Sequence, residues 1–449
     1  MNNKGKKHSI LVSVALLVAF TLLLGPGIAG AEVPDTVQIK VGGVMSLTGP
    51  GSFWHGPGGK AEIAYFKHFN SQGGREYTEP DGSKHRFTID LKYEDCAYNG
   101  KKAVTSYGRL RDWGAHLVTT HGSTPGAALI AACARDQVPV LHMWAVHPDP
   151  AYYRDNVDTM YLLPASATDV DATNGLFYQI KKYVWEKEHP GEPFKAGVIA
   201  FDNPPRRLYK KKFVKKLYAK SGIDLVGAAI VPITVTDVSI ELKRLYDKGA
   251  KVIMIDHTVA GVKVVLEDAT RLGIRDKLIF VSWFNLLRNF LAAPDLFDGV
   301  YNPWSYPMYY SSERTPAMER AGKIFLDDDP KYWTYRVDWA VGVYHNLEVA
   351  MMAIKDGLEK YGYEGLTRER IREMLFRPMT IDNGIYPKYT IDPKFPYSAP
   401  YGFMYKLDAK NKIFHPVGKP VAMGPSVYQP RWNPGDDSNA VLTHYYSWP

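Results

Sequence analysis

The sequence predicts an α/β protein of two doubly wound parallel-sheet lobes joined by three hinge crossings. Three observations carry this reading. Strand-like and helix-like patterns alternate from residue 37 onward, the alternation restarts after residue 161, and later stretches turn helical and then strand-like with no complete sheet of their own. Of the 449 residues, 45% are hydrophobic and 23% charged, which is enough apolar material for more than one core.

The chain opens with Lys4, Lys6 and Lys7, an apolar run from Ile10 to Leu24, and Ala29-Gly30-Ala31 as a small-residue cleavage site. This predicts a signal peptide over residues 1–31, a mature chain starting at Glu32 and delivery to the periplasm. The run is shorter than the roughly 20 residues of a spanning helix, so retention as an anchor is the lesser reading. Cys96 and Cys133 are the only cysteines and neither follows the run, so no lipid attachment is expected. In an exported chain the two can pair. Cys96 reads as a strand end and Cys133 as mid-helix, which leaves a bridge open.

Val37 to Ser46 is a continuous apolar strand, followed by Ala61, Ala64, Tyr65 and Phe69 at helical spacing and a stop at Gln72-Gly-Gly74. Phe87 to Tyr93 alternates as a second strand ending in Glu94-Asp95-Cys96. A helix then carries Ala103, Tyr107 and Leu110 on one face. His116 to Thr120 and Val138 to Trp144 are strands on either side of an Ala-rich helix over 125–136. Such an order requires a parallel sheet covered on both faces. Beyond Tyr161 come a helix over 169–187, strand 196–201, a basic helix 206–220, strand 225–233, a helix ending near Lys248, strand 252–255, helix 260–272 and strand 278–281. The 335–359 and 368–375 helices are expected to return to the first lobe, and strands over 380–392 and 401–407 to close the second. Lobe one is therefore predicted over 32–161 plus 303–379 and lobe two over 162–302 plus 380–420, with crossings near 162, 302 and 380. From Val421 to Pro449 the Pro, Gly, Tyr and Trp content predicts an irregular strap.

In doubly wound sheets ligands gather beyond the carboxyl ends of the strands. Those ends are Leu47 to His55, Glu94 to Asn99, Thr119 to Pro125 and Met143 to His147 in lobe one. In lobe two they are Phe201 to Pro205, Asp256 to Val259 and Ser282 to Asn285. Two such edges facing each other across hinges make a cleft able to close on a small molecule.

Several segments resemble one family: Ile39-Lys-Val-Gly-Gly-Val-Met-Ser-Leu-Thr-Gly-Pro50, Phe69-Asn-Ser-Gln-Gly-Gly74, Tyr93-Glu-Asp95 and His121-Gly-Ser-Thr124. The chain is similar, over nearly its whole mature length, to the leucine/isoleucine/valine-binding proteins of ATP-driven ABC importers, the type I periplasmic binding proteins. The resemblance implies that Ser123 and Thr124 hold a ligand carboxylate through hydroxyl and backbone N–H groups. It places further contacts at Trp144, Ala145 and Val146, and implies an acidic partner in lobe two for an ammonium. There the chain departs from the family pattern, with Asp202-Asn203-Pro-Pro205 where a Tyr-Gly pair is usual, and with Asp256-His257-Thr258 and Trp283-Phe284-Asn285 at the next tips. Asp202 and Asp256 are the candidates for an ammonium, and Asn203 and His257 for hydrogen bonding. Trp54, Trp144, Trp283 and Phe284 bring flat surfaces that suit an aromatic or planar carboxylate as well as an amino acid. Tyr335 adds a candidate contact from lobe one, and Arg206 one for an anion.

The implied partners are a small-molecule ligand and the membrane permease of an importer, with the protein a monomer; a sensory receptor with a separate signalling partner is the alternative. The formal charge is +8, or +5 without the three leader lysines, and is read as too diffuse for nucleic acid. Ser123 follows glycine directly and lacks the Gly-x-Ser-x-Gly elbow, so no enzyme is expected. His121, His142, His147 and His257 come with no close-spaced carboxylate or thiolate cluster, so neither metal nor cofactor is expected. The lysine-rich helix reads as a solvated face.

Overall fold

The computed structural model describes residues 33–143, 159–165, 169–202, 204–283, 293–304, 306–330, 337–391 and 401–422. The first sheet contains β1 (Thr36–Met45), β2 (Arg75–Thr78), β3 (Lys84–Asp95), β4 (Leu117–Thr120), β5 (Val140–His142) and β6 (Leu162–Pro164), in spatial order β2-β3-β1-β4-β5-β6. β1 alternates at its start and is buried without interruption from Val41, as expected for a central strand covered on both faces. Its neighbours β3 and β4 are both parallel to it. β2 pairs antiparallel with β3 and adds an edge strand absent from the sequence reading. β6 pairs with β5, so the chain leaves the first sheet after Pro164 rather than at 161.

The second sheet is built on β7 (Lys195–Phe201), β8 (Asp224–Val231), β9 (Val252–Asp256), β10 (Ile279–Ser282) and β11 (Tyr301–Trp304), in spatial order β11-β10-β9-β7-β8, all parallel. The 379–391 segment departs from expectation. Among the described residues β12 (Met379–Ile381) and β13 (Tyr389–Ile391) pair only with each other, as a separate hairpin. A partner ten residues away closes a short loop, which is entropically cheaper than reaching the distant sheet edge. Only β14 (Tyr401–Asp408) extends that edge, antiparallel to β11, followed by β15 (Ile413–Pro416) and the short β16 (Val421–Ala422). The rest of the expected strap lies outside the described residues.

One apolar core runs from one face of the first sheet through the Val337–Tyr361 helix into the second lobe. A smaller one lies between the first sheet and the Gly100–Asp112 and Ser123–Asp136 helices. The 337–361 helix is fastened to the first lobe by Glu348, which accepts from Tyr65 Oη at 2.6 Å and from Arg75 at 2.7 Å. Cys96 and Cys133 are free thiols, both buried in the smaller core. Among the described residues no helix is long and apolar enough to cross a membrane.

Candidate functional site

The loops that follow β1 and β3 are tied together by one carboxylate. Asp95 Oδ1 accepts the backbone N–H of Leu47 at 3.0 Å, Thr48 at 3.3 Å and Ala97 at 3.0 Å, and Thr48 Oγ1 donates to its second oxygen. Burial works to raise the Asp95 carboxyl, but these four donors outweigh it and hold the group below the usual carboxylate range. The following residues, Ala97 and Tyr98, sit in left-handed backbone at φ 50° and 57°, uncommon for side chains with a Cβ. The facing loop yields to them: a Cβ on Gly49 would come 2.3 Å from Ala97 O.

That backbone places the Tyr98 ring against the start of the 123–136 helix. Gly122, at φ 98°, has no side-chain cap, and a Cβ there would lie 2.6 Å from Tyr98 Cε2. Only glycine fits both the angle and the gap. Past Gly122 the helix opens with the N–H groups of Ser123 and Thr124. Pro125 has none, and the Gly126 N–H is spent on Gly122 O. Two backbone donors and the positive end of the helix dipole thus meet beside the Ser123 hydroxyl, 3.2 Å from Tyr98 Oη. The Tyr98 ring stacks on His55 at 5.2 Å and 8°, and His55 meets Trp339 edge-on at 5.9 Å. Trp339 reaches Trp304 of β11 at 5.6 Å, so a file of rings runs from the first lobe to the second sheet. Beneath it Glu62, fully buried, bonds His121 Nε2 at 2.8 Å and also accepts from Thr119. Thr120 Oγ1 and His121 Nδ1 are buried without a hydrogen-bond partner among the described residues.

The second lobe's strand ends are closed upon themselves. Arg206 donates to Asp256 Oδ1 at 2.7 Å while its guanidinium lies 4.0 Å over the Phe201 ring. Tyr209 Oη approaches Asp256 Oδ2 at 3.5 Å and Thr173 Oγ1 at 2.8 Å, and Thr173 accepts from Trp283 Nε1 at 3.1 Å. The five hydrogen-bonded side chains, Arg206, Asp256, Tyr209, Thr173 and Trp283, are all buried. His257 is likewise occupied: Nδ1 accepts the Thr258 N–H at 2.8 Å, which leaves Nε2 to donate to Pro232 O at 3.1 Å. Burial holds the His257 imidazole below its ordinary pKa. Asp202, on the surface, is gripped by Arg207 at 2.6 and 3.1 Å, and that bond lowers its carboxyl pKa.

Of the candidates from sequence, Ser123 and Thr124 stand together at the helix start, and Asp256, His257 and Trp283 stand together in lobe two with their polar groups engaged by the protein itself. The sequence reading offered Arg206 to an anion; the structure turns it to Asp256. Trp54 lies within the Ser52–Ser71 helix. Its side chain lies outside the described residues, as do Trp144, Ala145, Val146, Asn203, Phe284 and Tyr335. Tyr98, His55 and Trp339 were not singled out from sequence. Tyr98 and His55 sit in flagged strand-end loops, but the glycines that make room for the ring are distant in sequence. Among the described residues no three His, Cys, Asp or Glu side chains are grouped to hold a metal ion.

Known proteins share this architecture. No curated protein matches the chain in sequence. A branched-chain amino acid ABC transporter protein from Thermus thermophilus with bound valine superimposes with a TM-score of 0.65 at 16% identity, over 87% of this chain and 97% of that one. A fatty acid ABC transporter substrate-binding protein from Thermomonospora curvata gives 0.65 at 18%, over 90% and 97%. A solute-binding protein from Rhodopseudomonas palustris HaA2 in complex with p-hydroxybenzoic acid gives 0.63 at 15%, over 87% and 98%. These likenesses establish the fold. The sequence model of the periplasmic binding proteins matches residues 38–405, most of the chain, and its members are solute-binding proteins rather than enzymes. The chain therefore belongs to the periplasmic binding protein family.

Proposed function

We propose that this protein is an extracytoplasmic receptor that holds a small organic carboxylate between its lobes and delivers it to the permease of an ABC importer. The observation that carries the reading is the uncapped helix start at Ser123 and Thr124, with the Tyr98 and Ser123 hydroxyls beside it. Preorganised N–H donors and a helix dipole favour an anion there. Asp256 and Asp202 each already hold an arginine, which favours a ligand without an α-ammonium group over an amino acid. The file of Tyr98, His55 and Trp339 offers flat surfaces for an aromatic body. The bound p-hydroxybenzoic acid of one related structure is a ligand of this kind, a planar carboxylate without an α-ammonium group. Trp54, Trp144, Ala145, Val146, Asn203, Phe284 and Tyr335 remain proposed contacts from the surrounding loops.

A thermal-shift series tests the reading with benzoates, their primary amides and α-amino acids. At 100 times its dissociation constant a true ligand adds about 2.7 kcal/mol to stability. Benzoates should stabilise and their amides should not. Equal shifts from the amides, or a preference for amino acids, would overturn the carboxylate assignment. With the right ligand, small-angle scattering should show compaction; an unchanged radius at saturation would count against lobe closure.

A further inference from the structure

The whole chain carries +8, of which Lys4, Lys6 and Lys7 supply three, so residues 32–449 carry +5. Six lysines at one place, Lys210, Lys211, Lys212, Lys215, Lys216 and Lys220, exceed that excess, leaving the rest of those residues at −1. They fall within residues 210–220, and no acidic residue lies between Asp202 and Asp224. All six are exposed, on and just before the Lys212–Lys220 helix, which buries Val214, Leu217 and Tyr218 on its other side. None forms an ion pair with a carboxylate among the described residues. Elsewhere Lys243, Lys263 and Lys323 are each matched by an acid four residues on. The helix carries no acidic residue at all. Phe213 stands 44% exposed within the lysine cluster. Beside the helix, a groove of about 690 Å³ runs to the start of β8, with Asp224 its one acid.

We propose that this face docks on an anionic phospholipid surface, holding the receptor against a membrane. The residue types favour headgroups over an acidic protein segment. Lysine is a compact point charge on a flexible stem, suited to a diffuse field of phosphates, whereas carboxylate recognition favours the arginine fork. The two arginines nearby are spent, Arg206 on Asp256 and Arg207 on Asp202. An exposed phenylalanine among such lysines can enter the headgroup boundary.

The test is co-sedimentation of protein recovered from the periplasm with vesicles of phosphatidylglycerol and phosphatidylcholine, against pure phosphatidylcholine. Binding should require phosphatidylglycerol and vanish in 0.5 M salt. It should fall roughly fivefold for each lysine neutralised at the surface. The triple variant Lys212→Glu/Lys215→Glu/Lys216→Glu should lose it, while Lys243→Glu/Lys263→Glu/Lys323→Glu should retain it. Phe213→Ala should weaken it severalfold with the salt dependence kept. Unaltered melting of the triple variant shows that it folds. Equal binding to both vesicle types, or wild-type binding by the triple variant, overturns the proposal. So does capture of solubilised permease that the triple variant abolishes while vesicle binding persists, which reassigns the face to a protein partner. None of these outcomes depends on the ligand in the cleft.

Discussion

The strand ends of the two lobes are furnished in opposite ways. In the first lobe, Asp95 pins the loops so that Tyr98, Ser123 and two helix N–H groups present unused hydrogen-bonding capacity. In the second, a run of bonds from Trp283 through Thr173 and Tyr209 to Asp256 and Arg206 consumes its own polar groups. A lobe with open donors can seize a charged end from water. A cluster whose polar groups are bonded to one another, as from Trp283 to Arg206, is suited to supplying shape and excluding water. On the proposed function, charge recognition falls to the first lobe and enclosure to the second.

The comparison breaks most visibly at Asp256. Asp256→Ala strands the buried Arg206 guanidinium and should lower the stability of the second lobe by about 3–5 kcal/mol, read by thermal unfolding. Ligand affinity, measured below the transition, should change little. If affinity collapses while stability holds, Asp256 is a ligand group and the division of labour fails.

Ser123→Ala removes a hydroxyl from the open edge and should weaken carboxylate binding by about 1.5–3 kcal/mol in calorimetry, with the melting temperature unchanged. A neutral analogue should bind the variant and the parent alike. Normal carboxylate affinity in a folded variant would move the anion site elsewhere.

Thr173→Val sharpens the other side. It removes one hydrogen bond from each of the buried Trp283 N–H and the Tyr209 hydroxyl and should lower stability by about 1–3 kcal/mol, again with little effect on affinity. A loss of affinity larger than the loss of stability would place Trp283 against the ligand.

The smallest effect concerns pH. Because the Asp95 carboxyl is depressed in the folded protein, its contribution is fully present above the ordinary aspartate value near 4 and is lost as pH falls through its lower folded value. The group is exposed, so the contribution is screened to about 1 kcal/mol or less. Below pH 4 folding stability should therefore decline modestly in thermal unfolding, and Asp95→Asn should remove that part of the decline. An unchanged profile in the variant would assign the acid sensitivity to another carboxyl.

Most of the parallel strands were legible because a buried strand such as β1 writes a continuous apolar run, and because Gly122 marks a sharp turn into a helix. Alternation was less informative at the edges. β2 and the β12–β13 hairpin are short, and antiparallel pairing leaves the choice of partner to turn geometry rather than to hydrophobic pattern. At the site, Ser123 was legible from its place after a strand and before a helix. The Arg206–Asp256 pair was not, since its members are fifty residues apart and either reads alone as a free charge. The position of Tyr98 depends on three glycines, Gly49, Gly51 and Gly122, being small in the same place, which no local pattern announces.

The two sealed thiols bear on how the protein can be made. Burial pushes the Cys133 thiol up to about 12, and its hydrogen is given to Ile130 O at 3.2 Å. At neutral pH only about one molecule in 100,000 then carries the thiolate that attacks oxidants or disulfides. A chain whose cysteines are packed away in this form needs no oxidase to mature and offers little for glutathione or peroxide to modify. Its native state should form equally well in a reducing cytosol and in an oxidising compartment.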